Sequence, residues 1–432
     1  MNRFVPAFSL ILALTTAAFG GLVASESSEG NSAKQEQRSR DLQRLRWKDG
    51  SIRIALSDSL ESSTNIKIGS DVSGAIERSL AAWRSVAAVD LNSVSSERDS
   101  VSPSGNAGDG VSLLTIAGTS DNILFFAGAA DSLSAKTRVF YNRRGQITEA
   151  DIVLNPFAQF STDGTYGTFD LEATLRHEIG HLLGLSHSEV AGSTMYESVT
   201  RNGVLGPRPV RTLLSADDVS AVRALYGSPR GEERCCSAIT GKLTFSGKAH
   251  RDISIWVQEK ETGRVVGSAK LARNRSFKIA GLDFGDYEVY ANENSPGKTS
   301  QTQFLGEVTV AEGKWSVIAA RFAKRTSDFA IRFLGTNGVL AESAIFLTRG
   351  ERRTILVGGD GLDNRSLRLE IDSPYISVDG ASLAPIDYAE GVSALSMGVN
   401  VDSDTPAGNY SIYAVSPTGE RHYFVGSITL NP

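Results

Sequence analysis

Apolar and polar positions change period several times along the chain, and each change predicts an element. Residues 51–56 partly alternate and read as a strand. Within 73–86, Ile76, Leu80, Trp83 and Val86 recur at roughly helical spacing, with Asp71 or Ser73 placed to cap the start. A stretch rich in Ser, Asp, Asn and Gly at 93–110 predicts a loop. Candidate strands follow at 111–116, 122–126, 135–141 and 149–155. A Gly/Thr/Ser/Asp loop at 157–167 precedes a helix at 171–183, capped by Asp170 and with Glu172 in its first turn. Ser215 and Asp218 form the pattern of a capping box, Val219, Val222 and Leu225 follow on one side, and Gly227 can end that helix.

Beyond a linker at 228–236 the pattern becomes short strands broken by turns. They fall at 239–243, 253–258, 276–279 and 287–291, then at 354–357, 367–371, 394–399, 410–414 and 424–430. The expected class is therefore α+β followed by two all-β sandwich domains. Near the start, Asn2-Arg3 precede an apolar run from Leu10 to about Phe19, and a Ser/Glu/Gly/Asn-rich segment comes next. Residues 1–25 thus read as a secretory signal peptide and 26–46 as a flexible leader, and no later run has transmembrane length. The expectation is a secreted, extracellular protein, passing through the periplasm if the cell is Gram-negative, with no stable membrane span.

Composition narrows the classes further. The chain has 432 residues, 41% hydrophobic and 22% charged, with a formal net charge of -5. No basic stripe points to nucleic acid. The two cysteines, Cys235 and Cys236, are adjacent, which excludes a disulfide-rich scaffold. A vicinal disulfide, pairing between chains and free thiols all stay open.

The chemistry lies in Arg176-His177-Glu178-Ile179-Gly180-His181-Leu182-Leu183-Gly184-Leu185-Ser186-His187, an HExxHxxGxxH pattern. Four residues apart on a helix, His177 and His181 leave the same face and can grip one Zn2+. Gly184 lets the chain turn at positive φ and return His187 as a third ligand. Three protein ligands with one open position suit a catalytic zinc. Glu178 stands beside them as a general base.

These residues resemble a metzincin zinc metallopeptidase, most closely the matrixin (matrix-metalloproteinase-like) group. Gly192-Ser193-Thr194-Met195-Tyr196 resembles the Met-turn, and 214–227 resembles the closing helix, in which Asp217 or Asp218 would brace that turn. The resemblance covers 47–228 and implies a zincin fold, a twisted mixed sheet plus active-site helix. It implies one catalytic Zn2+ on His177, His181 and His187, Glu178 as catalytic residue, and Met195 and Gly184 in support. The implied activity is cleavage of internal peptide bonds through a metal-activated water, on a protein or peptide held along the strand at 135–141. Tyr196 takes no catalytic role, and 197–212 would wall the primary specificity pocket. Only His250 and His422 lie outside the motif, so a second, histidine-based zinc is not expected. Asp99, Asp109, Asp121 and Asp163 offer oxygen ligands for Ca2+ without regular spacing, and solvated loop acids are the expectation.

Residues 237–320 resemble a prealbumin-like (carboxypeptidase-regulatory-like) sandwich through Phe277, Gly281-Leu282, Gly285 and Tyr287. Residues 327–432 resemble an immunoglobulin-like one through Thr405-Pro406-Ala407-Gly408-Asn409-Tyr410. Such modules can engage a surface or matrix ligand. The rival functional class is a secreted binding or adhesive protein with a catalytically silent zincin domain. The oligomeric state is not written in these patterns.

Overall fold

The computed structural model describes residues 45–431 apart from 104–106, 127–132, 198–200, 204–213, 230–234, 246–251, 294–301, 313, 324–325, 365 and 390–391. The expected signal peptide, almost all of the expected leader and most of the expected pocket loop lie outside the described residues.

The N-terminal domain is built on a six-stranded sheet of β1 (Arg46–Trp47), β2 (Ser51–Ser57), β3 (Asp90–Ser96), β4 (Ser112–Thr115), β5 (Ala135–Tyr141) and β6 (Gln146–Leu154). All of its pairings are parallel except that of β5, which runs antiparallel to β6 and, among the described residues, pairs with no other strand. Its helices are α1 (Ser59–Ser62), α2 (Val72–Val86), α3 (Ser120–Phe125), α4 (Leu171–Leu182) and α5 (Ala216–Tyr226). The helical spacing of Ile76, Leu80 and Trp83 brings those side chains into one core with Leu171, Leu175, Ile179 and Leu182 of α4 and Ala150, Ile152 and Leu154 of β6. Each buried Leu or Ile contributes roughly 1.5–3 kcal/mol. Asp71 caps α2 by accepting from Gly74 N, and Asp170 caps α4 by accepting from Ala173 N.

Two local expectations change. Residues 122–126 are not a strand: 122–125 belong to α3, capped by the Thr119 side chain, and Phe126 is its C-cap. The buried Asn122 side chain donates to the carbonyls of Asp99 and Ala117 and accepts from Val101 N, tying the helix to the preceding loop. A short apolar run has no period that could reveal this. The folded chain also begins before Trp47, because Arg46 pairs with Gln146.

Among the described residues, every regular element of the C-terminal half is a strand. Cys235 and Cys236 are bonded to each other and open the strand Cys235–Phe245, so the linker ends earlier than expected. That strand lies between Ser276–Asp283 and Trp315–Phe322 in a three-stranded sheet. A five-stranded sheet is formed by Val339–Ala341, Ala330–Thr336, Arg352–Asp360, Val392–Val401 and Ile376–Ala389. Between them runs one eight-stranded sheet that crosses the expected boundary at 320–327. Its continuity rests on Arg264–Lys270 pairing antiparallel with Gly408–Val415, through Arg264 opposite Tyr410 and Val265 opposite Asn409. On the earlier part, Ile253, Ile255, Val257 and Val289 meet Ile239, Phe277 and Ile279 of the three-stranded sheet. On the later part, Ile412, Ala414, Ile428 and Leu430 meet Ile331, Ile355, Val357 and Met397 of the five-stranded sheet. One sheet thus supplies a layer to both sandwich-like modules.

No helix among the described residues is long and apolar enough to cross a membrane.

Candidate metal centre

Helix α4 carries His177 and His181 one turn apart on a buried surface. A helix end leaves carbonyls without internal partners, and here each has one. The Trp47 indole N–H donates to Leu182 O at 2.8 Å, and the Tyr226 hydroxyl donates to Leu183 O at 2.7 Å. The chain then turns: Gly184 N donates to His181 O, Leu185 N donates to Gly180 O, and Gly184 sits at φ 95°. A side chain at Gly184 would also run into the carbonyl of Leu45. This turn returns His187 to the other two rings.

The three Nε2 atoms converge, at 3.1 Å between His181 and His177 and 3.2 Å between His181 and His187. Nδ1 of His177 lies 2.7 Å from Thr194 O, and Nδ1 of His181 lies 2.9 Å from Leu185 O. A carbonyl only accepts, so these rings donate from Nδ1 and present Nε2 lone pairs toward one another. Burial, reinforced by the neighbouring histidines, holds His181 well below its ordinary range. Burial, then His177 and Lys270, lowers His187 to about 4, although the residue keeps solvent contact. Neutral imidazoles this close repel unless a shared cation sits among them, so the donor set fits a metal ion of the Zn2+ type. Among the described residues these three histidines form the one such cluster.

Glu178 is buried, and burial raises its carboxyl above the usual range against the opposing pull of His177 and Thr137. Thr137 of β5 donates its hydroxyl to Glu178 Oε2 and approaches Glu178 O at 3.3 Å. Met195 is buried, 2% exposed, and packs against Gly180 of α4. A Cβ at Gly180 would overlap the Met195 sulfur and crowd Trp83, so close helix–turn packing requires glycine there.

The choice between Asp217 and Asp218 is resolved by hydrogen bonds. Asp218 accepts from Thr194 N at 2.8 Å, Met195 N at 3.1 Å and the Ser193 hydroxyl at 2.5 Å, and it completes the capping box with Ser215. Asp217 instead accepts from the Ser188 hydroxyl, and burial raises its carboxyl to about 6. Of the four loop acids, Asp163 pairs with Lys67, Asp109 with Arg98, and Asp99 accepts from Ser57.

The sequence pattern assigns no site role to Thr137, Gly180, Trp47 or Tyr226. A glycine inside a helix costs about 1 kcal/mol against alanine, so Gly180 carried an available cue. The indole and hydroxyl of the helix end carried none, because their partners are distant in sequence.

Comparison with known proteins agrees with this geometry. Residues 46–227 match the family model described as Matrixin. Over 59 residues the chain is 46% identical to Metalloendoproteinase 1 of Glycine max, covering 14% of this chain and 17% of that protein. A stretch of 119 residues is 35% identical to Matrix metalloproteinase-19 of Homo sapiens, covering 26% of this chain and 21% of that protein. The chain therefore spans a minor part of these curated relatives. The major pilin subunit of Bacillus cereus is similar at 12% identity, covering 46% of this chain and 69% of that one, with a TM-score of 0.16 that carries no argument.

Proposed function

We propose that the protein is a secreted zinc metalloendopeptidase. The observation that carries this reading is the convergence of three imidazole Nε2 atoms beside a buried carboxylate, Glu178. The matched relatives are named metalloendoproteinase and matrix metalloproteinase, which favours peptide bonds as substrate.

His177, His181 and His187 are the metal ligands, with Gly184 shaping the return of His187 and Met195 in support. Zn2+ held there supplies Lewis acidity toward a scissile carbonyl and a water. Glu178 takes a proton from the attacking water at its carboxylate and returns it to the leaving nitrogen. The desolvated setting of Glu178 suits it to both halves of that transfer, and the Thr137 hydroxyl restricts its carboxylate. Strand β5, paired on one side only among the described residues, offers main-chain groups to an extended peptide by strand addition.

The test is cleavage of a mixed protein and peptide library by the zinc-loaded full chain, with new ends mapped by mass spectrometry. The expected result is internal cuts abolished by chelator and by Glu178→Ala, with zinc content retained in the variant. No cuts from folded, zinc-loaded protein would move the conclusion to a binding protein with a silent zincin domain.

A further inference from the structure

The C-terminal modules have so far been passive neighbours. Their shared sheet has two faces, and only one is used for the sandwich cores. The opposite face carries Trp256, Val265, Tyr290, Tyr413, Val415, Tyr423 and Val425, a separate buried cluster. Its eighth member comes from the matrixin-like domain: Val190, fully buried, from the loop that joins His187 to Met195.

The grip on that loop is continuous. Ala191 N donates to Val425 O at 2.9 Å. Glu189 pairs with Lys270 at 3.0 Å, and both are partly buried. Gly192 packs so closely that a Cβ would overlap the Asn409 amide and crowd Thr429. Gly426, at φ 59°, meets Val190 in the same way. Ser188 reaches Asp217 on one side and lies 3.5 Å from the Ser268 hydroxyl on the other. Every module residue in these contacts belongs to the shared sheet, so the loop is held by one continuous element. The loop in turn holds the site: Ser188 N donates to Met195 O at 2.8 Å, and the Thr194 carbonyl fixes His177.

We propose that the shared sheet is part of the metal centre's support, and that Val190 is a positioning residue through which the C-terminal modules fix His187 and the Met195 turn. This deepens the peptidase reading and rests on it for the identity of the metal. The matrixin-like domain alone would leave Val190 and the Ala191 amide facing water, and a ligand loop with that freedom binds metal less tightly.

The experiment compares the full chain with full-chain Val190→Asp and the conservative Val190→Ile. Zinc affinity is measured by competition with a chromogenic chelator, and amide hydrogen exchange is followed over 188–195. Val190→Asp is expected to weaken zinc binding roughly tenfold or more and to lose exchange protection across 188–192. Val190→Ile should restore both. Equal zinc affinity and equal protection in a folded Val190→Asp chain would overturn the proposal. Should Val190→Asp fail to fold, Lys270→Ala and Gly192→Ala give the same two readouts, and unchanged values in both would overturn it equally. If the wild-type chain binds no zinc, the peptidase reading fails by itself. The exchange comparison then still decides whether the sheet clamps this loop.

Discussion

The two halves of the molecule encode their structure over very different distances. In the matrixin-like domain the chemistry sits within twelve consecutive residues, from Arg176 to His187, and one helix and one turn assemble it. In the C-terminal half the decisive feature is a pairing between Arg264–Lys270 and Gly408–Val415, far apart in the chain. The first arrangement can be altered by single residues without disturbing the fold. The second has no local determinant, so changes to it should spread through both modules. Helical spacing delivers a site; long-range strand pairing delivers the frame that holds it.

The sharpest break in this comparison is at the site itself. His181→Ala removes the imidazole whose Nε2 lies within 3.2 Å of both others. The expected result is loss of stoichiometric zinc by metal analysis and a fall in kcat/KM of at least about a thousandfold. Far-ultraviolet circular dichroism of the variant should match the wild type, because α4 keeps its caps and its Leu175 and Ile179 packing. Retained zinc and cleavage in this variant would remove His181 from the site.

Next in size is Asp218→Ala, which strikes where the site meets its frame. It leaves the amides of Thr194 and Ser215 without their acceptor inside the protein, and the Met195 amide with the Ser193 hydroxyl alone. Buried unsatisfied groups of this kind cost about 1–3 kcal/mol each. A destabilisation of about 3–5 kcal/mol in denaturant unfolding is expected, against less than about 1 kcal/mol for an exposed acid such as Asp58.

How much of this could be read in advance follows from the same contrast. The histidine cluster, the buried Glu178 beside it, the turn at Met195 and the capping box at Ser215 are legible because each is a short-range pattern tied to one helix or turn. The sheet order was not, since alternation in 253–259 or 421–430 shows that a strand exists but not which strand lies beside it. Val190 could not be singled out either, because an isolated valine in a loop gives no periodic signal and its seven cluster partners begin at Trp256. The helix at Ser120–Phe125 escapes the pattern for the opposite reason: a cap stands at Thr119, but the apolar residues after it fit either period.

The shared sheet can be probed directly. Ile255 is fully buried and sits between Ala269 and Ala291 on neighbouring strands. Ile255→Ala should cost about 2–5 kcal/mol through the lost side chain and the cavity it leaves. Because one sheet serves both modules, calorimetry should show a single shifted transition for the C-terminal half. Two transitions, only the earlier module's shifted, would mean that the Arg264–Tyr410 junction does not couple them.

The smallest effect concerns pH, and here the two halves should slope in opposite directions. Burial raises Glu149 in β6 to about 7, with Asp151 and Asp109 adding to it and the Gly110 amide opposing. A raised folded carboxyl binds more protons than the unfolded chain between about 4.5 and 7. Stability from this group is therefore greatest below that window and falls as pH rises through it. In the C-terminal half, burial lowers His422 to about 4, where its Nδ1 accepts from Ile331 N at 3.2 Å. Here the folded state binds fewer protons between about 4 and 6.5, so stability is lost as pH falls through that range. Glu149→Gln should raise Tm by about 2–4 °C at pH 8 and leave it unchanged at pH 4. His422→Gln should lower Tm at pH 8 by removing a packed imidazole while flattening the decline toward pH 4. Asp151, raised by burial to about 6, keeps part of the first slope in place, so Glu149→Gln should reduce that slope without abolishing it. Matching slopes in the two variants would mean that the buried carboxylate and the buried imidazole do not carry the opposing pH responses of the two halves.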